Sequence, residues 1–261
     1  MGLYLNPGNY GFAESLRSEI YVDKTGLLQY TNRMINTKQK FICVSRPRRF
    51  GKSMAAEMLV AYYSQGCDSR KMFQGLQIAN EPSFAEYLNQ YPVIRMDIQW
   101  TRSNAQNPED IILLLQKSVI TELRNQYPEY VHPETASLSS ALSEIHMATN
   151  DKFVIVIDEW DCIFREYKKD EKAQKGYLDF LRDLLKDKGF IHLAYMTGIL
   201  PIKKYGTHSA LNMFSEFSMT NPRQLASFVG FTEKEVQELA VKYHRDMAEL
   251  KEWYNGYQFD G

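Results

Sequence analysis

Residues 41–64 read FICVSRPRRFGKSMAAEMLVAYYS, and this stretch restricts the folds open to the chain more than any other. FICVS is a short apolar run of the kind that forms a strand buried on both faces. RPRRF is a basic loop that fits neither a strand nor a helix, and MAAEMLVAYY after it has good helix propensity. Strand, loop, Gly-Lys-Ser and helix, in that order, are the setting a phosphate-binding loop requires. Gly51 lets the backbone approach phosphate oxygens where a Cβ would collide. Lys52 would reach the β- and γ-phosphates, and the Ser53 hydroxyl would ligate Mg²⁺. The free N–H groups of the helix start, through Met54, add an anion site.

One departure stands out. The first glycine of the pattern G-x-x-x-x-G-K-[ST] falls at Arg46, and Pro47, Arg48, Arg49 and Phe50 fill the loop. A bare Gly-Lys-Ser also suits a basic surface turn ahead of an ordinary helix, so a second motif has to decide.

At 261 residues and 44% hydrophobic, the chain can bury a substantial core. A net charge of −1 gives no global pull toward nucleic acid or an anionic membrane. Cys43, Cys67 and Cys162 are widely spaced and fit no metal pattern, and Cys43 and Cys162 read as small buried hydrophobes. The N-terminus lacks the pattern of a signal peptide, and no apolar stretch is long enough to span a membrane. The expectation is a soluble, cytoplasmic protein.

Read in order, the chain alternates strands and helices. A helix is expected over Thr25–Met34, then the strand and helix of the opening stretch, a short helix in PSFAEYLNQ, and a strand in YPVIRMDIQW. A polar loop, TRSNAQNPED, leads to a helix begun at Asn107-Pro108, with Ile111, Leu114, Leu115, Ile120 and Leu123 as its apolar stripe. A helix over about Ser139 to Thr149 precedes FVIVIDEWD. A charged segment and a helix over LDFLRDLLKDKG follow, then a strand in IHLAYMTGI and a last short strand in FSMT. From about Asn221 only helical patterns appear, with Thr232 as N-cap and Glu235 completing a capping box. Apolar strands separated by amphipathic helices indicate an α/β domain with a mostly parallel sheet. The division expected is residues 1–220 as the nucleotide-binding domain, with 1–38 on its adenine side, and 221–261 as a helical appendage.

FVIVIDEWD, residues 153–161, is the second motif: a buried strand ending in adjacent carboxylates, at the strand end where open α/β sheets bind ligands. Two acids there are costly unless they meet a cation or bound water. Asp158 suits Mg²⁺ binding through its water shell, and Glu159 suits orienting or deprotonating the attacking water. Together the two motifs define a P-loop nucleotide-binding domain. The Glu after the Asp points to the subclass with an extra strand between the two motif strands, hence a three-layer P-loop NTPase fold with strand order 5-1-4-3-2. That extra strand would be IHLAYMTG. Its Thr197 is either a γ-phosphate sensor or a strand-end hydroxyl satisfied by neighbouring backbone.

YVDKT (21–25), RPRRFGKS (46–53), VIVIDEWD (154–161), TGI with Pro201, GFTEKEV (230–236) and WYNGYQF (253–259) resemble the prokaryotic predicted AAA-ATPase (AAA-ATPase-like) family. The resemblance covers nearly the whole chain. It implies Mg²⁺-dependent ATP binding and hydrolysis, and it implies that Arg in place of the first glycine is the usual form of the loop. It also implies a PD-(D/E)XK nuclease-like domain following the ATPase in many relatives. No such constellation falls within this sequence, so the expectation is an ATPase module alone, with nucleic acid reached only through a further domain. Adenine rather than guanine rests on the resemblance as well. A regulatory switch that binds ATP with little turnover, and the ATPase of a nucleic-acid-acting or defence system, are the alternatives; a homo-oligomer stays open.

Other residues have two readings each. Arg48 and Arg49 either stabilise charge in cis or bond a nearby acid. Asp97 either meets the phosphate-loop Lys or metal-bound water, or caps a loop. Tyr21, Asp23 and Lys24 are weaker candidates on the adenine side, and Arg165, Arg182 and Arg223 are candidates for an arginine finger. Trp253, Tyr254 and Tyr257 read as packing for the terminal helical piece.

Overall fold

A computed structural model describes residues 1–202 and 211–254 of the chain. Five strands form one parallel sheet: β1 (Phe41–Ser45), β2 (Val93–Asp97), β3 (Phe153–Asp158), β4 (Ile191–Gly198) and β5 (Ser215–Phe217). The order across it is β2-β3-β4-β1-β5, which is 5-1-4-3-2 read from the other edge. All four pairings are parallel, and β4 is the extra strand between β1 and β3. The helices in chain order are α1 (Tyr10–Leu16), α2 (Gly26–Met34), α3 (Lys52–Tyr63), α4 (Arg70–Phe73), α5 (Phe84–Tyr87) and α6 (Ile98–Ser103). They continue with α7 (Pro108–Gln126), α8 (Leu138–Thr149), α9 (Cys162–Glu166), α10 (Glu171–Leu185), α11 (Glu233–Lys242) and α12 (Met247–Tyr254).

Every residue of β1 and β3 is buried, because helices cover both faces of the sheet. Side chains still alternate between faces with period two. Cys43, Ile155, Ile157 and Met196 enter one core with Ile111 and Leu115 of α7, Leu142 of α8 and Leu181 of α10. Ile42, Val44, Val154 and Val156 enter the other with Leu27 of α2 and Leu59 of α3. Cys43 and Cys162 are buried free thiols, as small hydrophobes would be. Among the described residues no helix is long and apolar enough to cross a membrane.

The outer edge of β2 is not left open. Residues 4–6 run antiparallel to it: the Arg95 amide donates to Tyr4 O at 2.8 Å and the Asn6 amide to Val93 O at 2.7 Å. The Glu122 carboxylate accepts the amides of Leu3, Tyr4 and Leu5, pinning that cover onto α7. A covered edge cannot pair with another chain.

Local chemistry sets the ends of the helices. Asn107 accepts the Asp110 amide at 3.0 Å and Pro108 opens α7. Thr232 and Glu235 form a reciprocal capping box on α11, as their spacing predicts. Three expectations are corrected. The strand at 92–100 ends at Asp97, whose carboxylate accepts the Trp100 amide at 2.8 Å and starts α6 where a polar loop was expected. Asp97 is thus a cap, and burial raises its pKa. Leu114 is exposed, because α7 is covered only along Ile111, Leu115, Val119, Ile120 and Leu123. The last strand lies at Ser215–Phe217, slightly upstream of FSMT, and pairs with Ile42–Val44.

Candidate functional site

The C-terminal ends of β1, β3 and β4 lie side by side, with Ser45 opposite Gly198, Val44 opposite Thr197 and Ile157 opposite Met196. Lys52, Asp158, Glu159 and Thr197, distant in sequence, are thereby gathered at one edge of the sheet, the ligand-binding edge of open α/β folds.

After β1 the loop turns back on itself. Arg49 (φ 69°) and Gly51 (φ 76°) are both left-handed. That conformation costs a non-glycine residue about 1–2 kcal/mol, so at Gly51 it is nearly free and at Arg49 it is held by the surrounding loop. Gly51 caps α3, and Lys52, only 5% exposed, folds its side chain back to donate to Pro47 O at 3.0 Å. Ser53 and Met54 are exposed at the first turn of α3. The Phe50 ring sits against Gly230 (φ 99°), where a Cβ would come within 2.8 Å of the ring. The phosphate-loop candidate therefore touches the segment that leads into α11.

Arg46 requires a correction. Its side chain is fully buried, its guanidinium donates to Ser45 O at 3.1 Å and Phe217 O at 2.7 Å, and its amide donates to Gly198 O at 3.0 Å. Arg46 stitches β1 to β5 and extends the β1–β4 ladder, so it supports the loop from beneath and does not offer its charge to a ligand. Arg48 and Arg49 are exposed and make no ion pair among the described residues, so neither bonds a neighbouring acid. Pro47 contributes its carbonyl to Lys52.

Thr197 donates its hydroxyl to Asp158 Oδ1, and the Glu159 amide donates to the same oxygen at 3.0 Å. Of the two readings of Thr197, its hydroxyl is satisfied, but by the Asp158 side chain and not by backbone. Asp158 Oδ2 receives no protein hydrogen bond among the described residues. Glu159 is left-handed (φ 52°). One of its carboxylate oxygens pairs with Arg165 Nη2, and the other, Oε1, lies 4.0 Å from Lys52 Nζ. Burial raises the Glu159 pKa, opposed by Arg165 and Lys52. Burial lowers that of Lys52, opposed by Glu159 and Asp158. Each group thus offsets part of the effect of burial on the other.

Arg165 is therefore held in cis by Glu159, while Arg182 pairs with Asp179 on an exposed helix face and Arg223 donates to Asn221. Asp23 accepts the Thr25 and Gln77 amides, and Lys24 donates to Ser227 O and pairs with Glu235 at 2.6 Å. Both side chains tie the N-terminal segment to the rest of the fold and are committed there. Tyr21 packs edge-on against Phe12. Tyr257 and the side chains of Trp253 and Tyr254 fall outside the described residues.

Among the described residues no three His, Cys, Asp or Glu side chains cluster as a metal cage. Mg²⁺ does not need one: it takes one or two protein oxygens and completes its shell with water and phosphate. The hydroxyl of Ser53 and the carboxylate of Asp158 are oxygen donors of that hard type, and Oδ2 of Asp158 has no competing donor. The donor set fits.

A parallel sheet in this order, with a glycine-lysine-serine turn after one strand and an acid pair after another, has the architecture of the P-loop NTPase fold. The chain belongs to the predicted AAA-ATPase family, whose model matches residues 12–207. A protein of Azotobacter chroococcum mcd 1, described as an uncharacterized protein in the vnfD 5′ region, is 25% identical over 248 residues, 92% of this chain and 45% of that protein. The structure of the Aeropyrum pernix ORC2 protein (ADPNP-ADP complexes) aligns with TM-score 0.44 and 11% identity, over 90% of this chain and 55% of that chain. The chain thus spans about half the length of these two relatives.

Sequence reasoning missed Asp161 and the cis engagement of Arg165. Their spacing was a usable signal, since an acid and an arginine four residues apart share one helix face.

Proposed function

We propose that the chain binds ATP with Mg²⁺ at the loop 47–54 and hydrolyses it, and that the hydrolysis is coupled to a partner or a further domain. One observation carries the reading: Lys52, Asp158, Glu159 and Thr197 meet at one edge of the sheet beside a left-handed Gly51. Amides from Arg49 to Met54 would cradle the phosphates, and Lys52 would exchange Pro47 O for β/γ oxygens. Ser53 and Asp158 would hold the cation, which when bound would neutralise phosphate charge. Thr197 would orient Asp158 and through it respond to the γ-phosphate, while Glu159 accepts a proton from the attacking water. The division at about residue 220, with 1–38 on the adenine side, and a cytoplasmic setting consistent with free thiols, belong to the same reading.

Glu159→Gln tests it. The variant should retain nucleotide affinity while turnover falls about 10²–10⁴-fold, the usual contribution of a general base. Turnover at the wild-type rate would remove Glu159 from the mechanism. A switch that binds ATP and scarcely turns it over is the second reading, favoured by the Glu159–Arg165 ion pair that already occupies the base. Steady-state hydrolysis by the purified chain separates the two.

A further inference from the structure

We infer that Arg165 is a positioning residue for Glu159, gripping one oxygen of that carboxylate so that the other is presented to the phosphate loop. The inference rests on the hydrolase reading above and deepens it. Arg165 stands on α9, one turn beyond Asp161, and its amide donates to Asp161 O at 3.1 Å. Its guanidinium reaches two acids: Nη2 donates to Glu159 Oε2, and Nε lies 3.2 Å from Asp161 Oδ2 as an ion pair without hydrogen-bond geometry. A guanidinium is a rigid planar fork, so holding Nε near Asp161 restricts where Nη2 can point.

Asp161 is itself firmly held. Asp161 is fully buried, and its Oδ2 also accepts the amides of Ile199 at 3.1 Å and Leu200 at 2.8 Å. Trp160, buried beside it, receives the close approach of Gly198 and packs against Phe164 of α9. Arg165 itself is 12% exposed, so water competes weakly for its donors. Glu159, bonded by Nη2, has a left-handed backbone. With Oε2 held, Oε1 faces Lys52 Nζ at 4.0 Å, the lysine expected to meet the transferring phosphate. One arginine therefore links the candidate base to the segment following Thr197 and Gly198.

The test uses the whole chain and compares wild type, Glu159→Gln, Arg165→Ala and Arg165→Lys. Readouts are kcat and KM for ATP, with nucleotide affinity measured separately by titration with a fluorescent ADP analogue. Arg165→Ala should lower kcat about 10–100-fold, the usual cost of losing a supporting partner. KM and ADP affinity should stay within about two-fold, because ground-state binding is untouched. Arg165→Lys should recover only part of the rate, since one ammonium cannot span both acids. If Arg165→Ala does not fold, as judged by circular dichroism, Arg165→Gln carries the same comparison. Wild-type kcat in the alanine variant, a raised kcat, or a parallel loss of nucleotide affinity would each overturn the inference. Wild-type turnover that vanishes in Glu159→Gln yet persists in Arg165→Ala overturns this inference alone. A wild-type chain that binds nucleotide without turnover overturns the hydrolase reading, and this inference with it.

Discussion

Lys52 Nζ lies 4.0 Å from Glu159 Oε1 while it donates to Pro47 O, so the lysine of the loop and the acid beyond β3 face each other across the candidate site. Burial works against both charges, and each opposes that effect on the other. A γ-phosphate between them would replace an internal ion pair with a ligand contact.

Lys52→Ala should weaken nucleotide binding about 10–100-fold, since a hydrogen bond to a charged group is worth roughly 1.5–3 kcal/mol. Titration with a fluorescent ATP analogue at fixed Mg²⁺ measures it. Unchanged affinity would remove the loop from nucleotide binding altogether.

Thr197→Val keeps the shape of the side chain and removes the donor to Asp158 Oδ1. With Asp158 less firmly oriented, the Mg²⁺ concentration needed for half-maximal turnover should rise about 10–100-fold, the range for loss of a partner behind a metal ligand. A Mg²⁺ titration of turnover reads this directly, and an unmoved midpoint would separate Thr197 from cation binding.

Gly198→Ala tests packing and not chemistry. The added Cβ would lie 2.6 Å from Trp160 Cδ1 and Nε1 and 2.8 Å from Asp161 Oδ1, all fixed groups of the core. Overpacking of this kind costs about 1–3 kcal/mol, to be measured by denaturant unfolding followed at a probe other than tryptophan. Wild-type stability would mean that the β4 end and the loop after β3 can separate freely.

His192 gives a pH dependence. Its pKa is lowered from 6.5 to about 4, first by burial and then by Lys152, Lys40 and His146, with Asp151 opposing. The ring Nδ1–H donates to Asn36 Oδ1, and the ring stands edge-on to Tyr91. A lowered folded pKa means that the fold prefers the neutral ring. Its contribution is complete above pH 6.5 and declines as the pH falls toward about 4. His192→Gln should flatten the fall in Tm over that window relative to wild type, and an identical slope would show that the ring does not carry it.

The strands were legible because helices bury both faces of the sheet, so FICVS and FVIVID read as plain apolar runs. The capping box of α11 and the Asn107-Pro108 start of α7 were legible because caps act over three or four residues. Helix α6 was not: Ile98 and Trp100 extend the apolar pattern of β2, and only the Asp97 side chain folding onto the Trp100 amide ends the strand. Leu114 misled for a related reason, since the width of a helix stripe depends on which neighbours cover it.

By itself, the sequence determined the layered α/β fold and the two motifs, because those depend on local periodicity and spacing, while the strand order followed from the P-loop subclass that the adjacent Asp and Glu imply. The tertiary structure alone decided what the charged side chains do. Arg46, inside the motif, is buried as a stitch between β1 and β5, whereas Arg165, outside it, reaches the candidate base. An arginine's role depends on which carbonyls and carboxylates come within about 3 Å of its guanidinium. Those partners lie up to 171 residues away in sequence, and only the folded sheet brings them together.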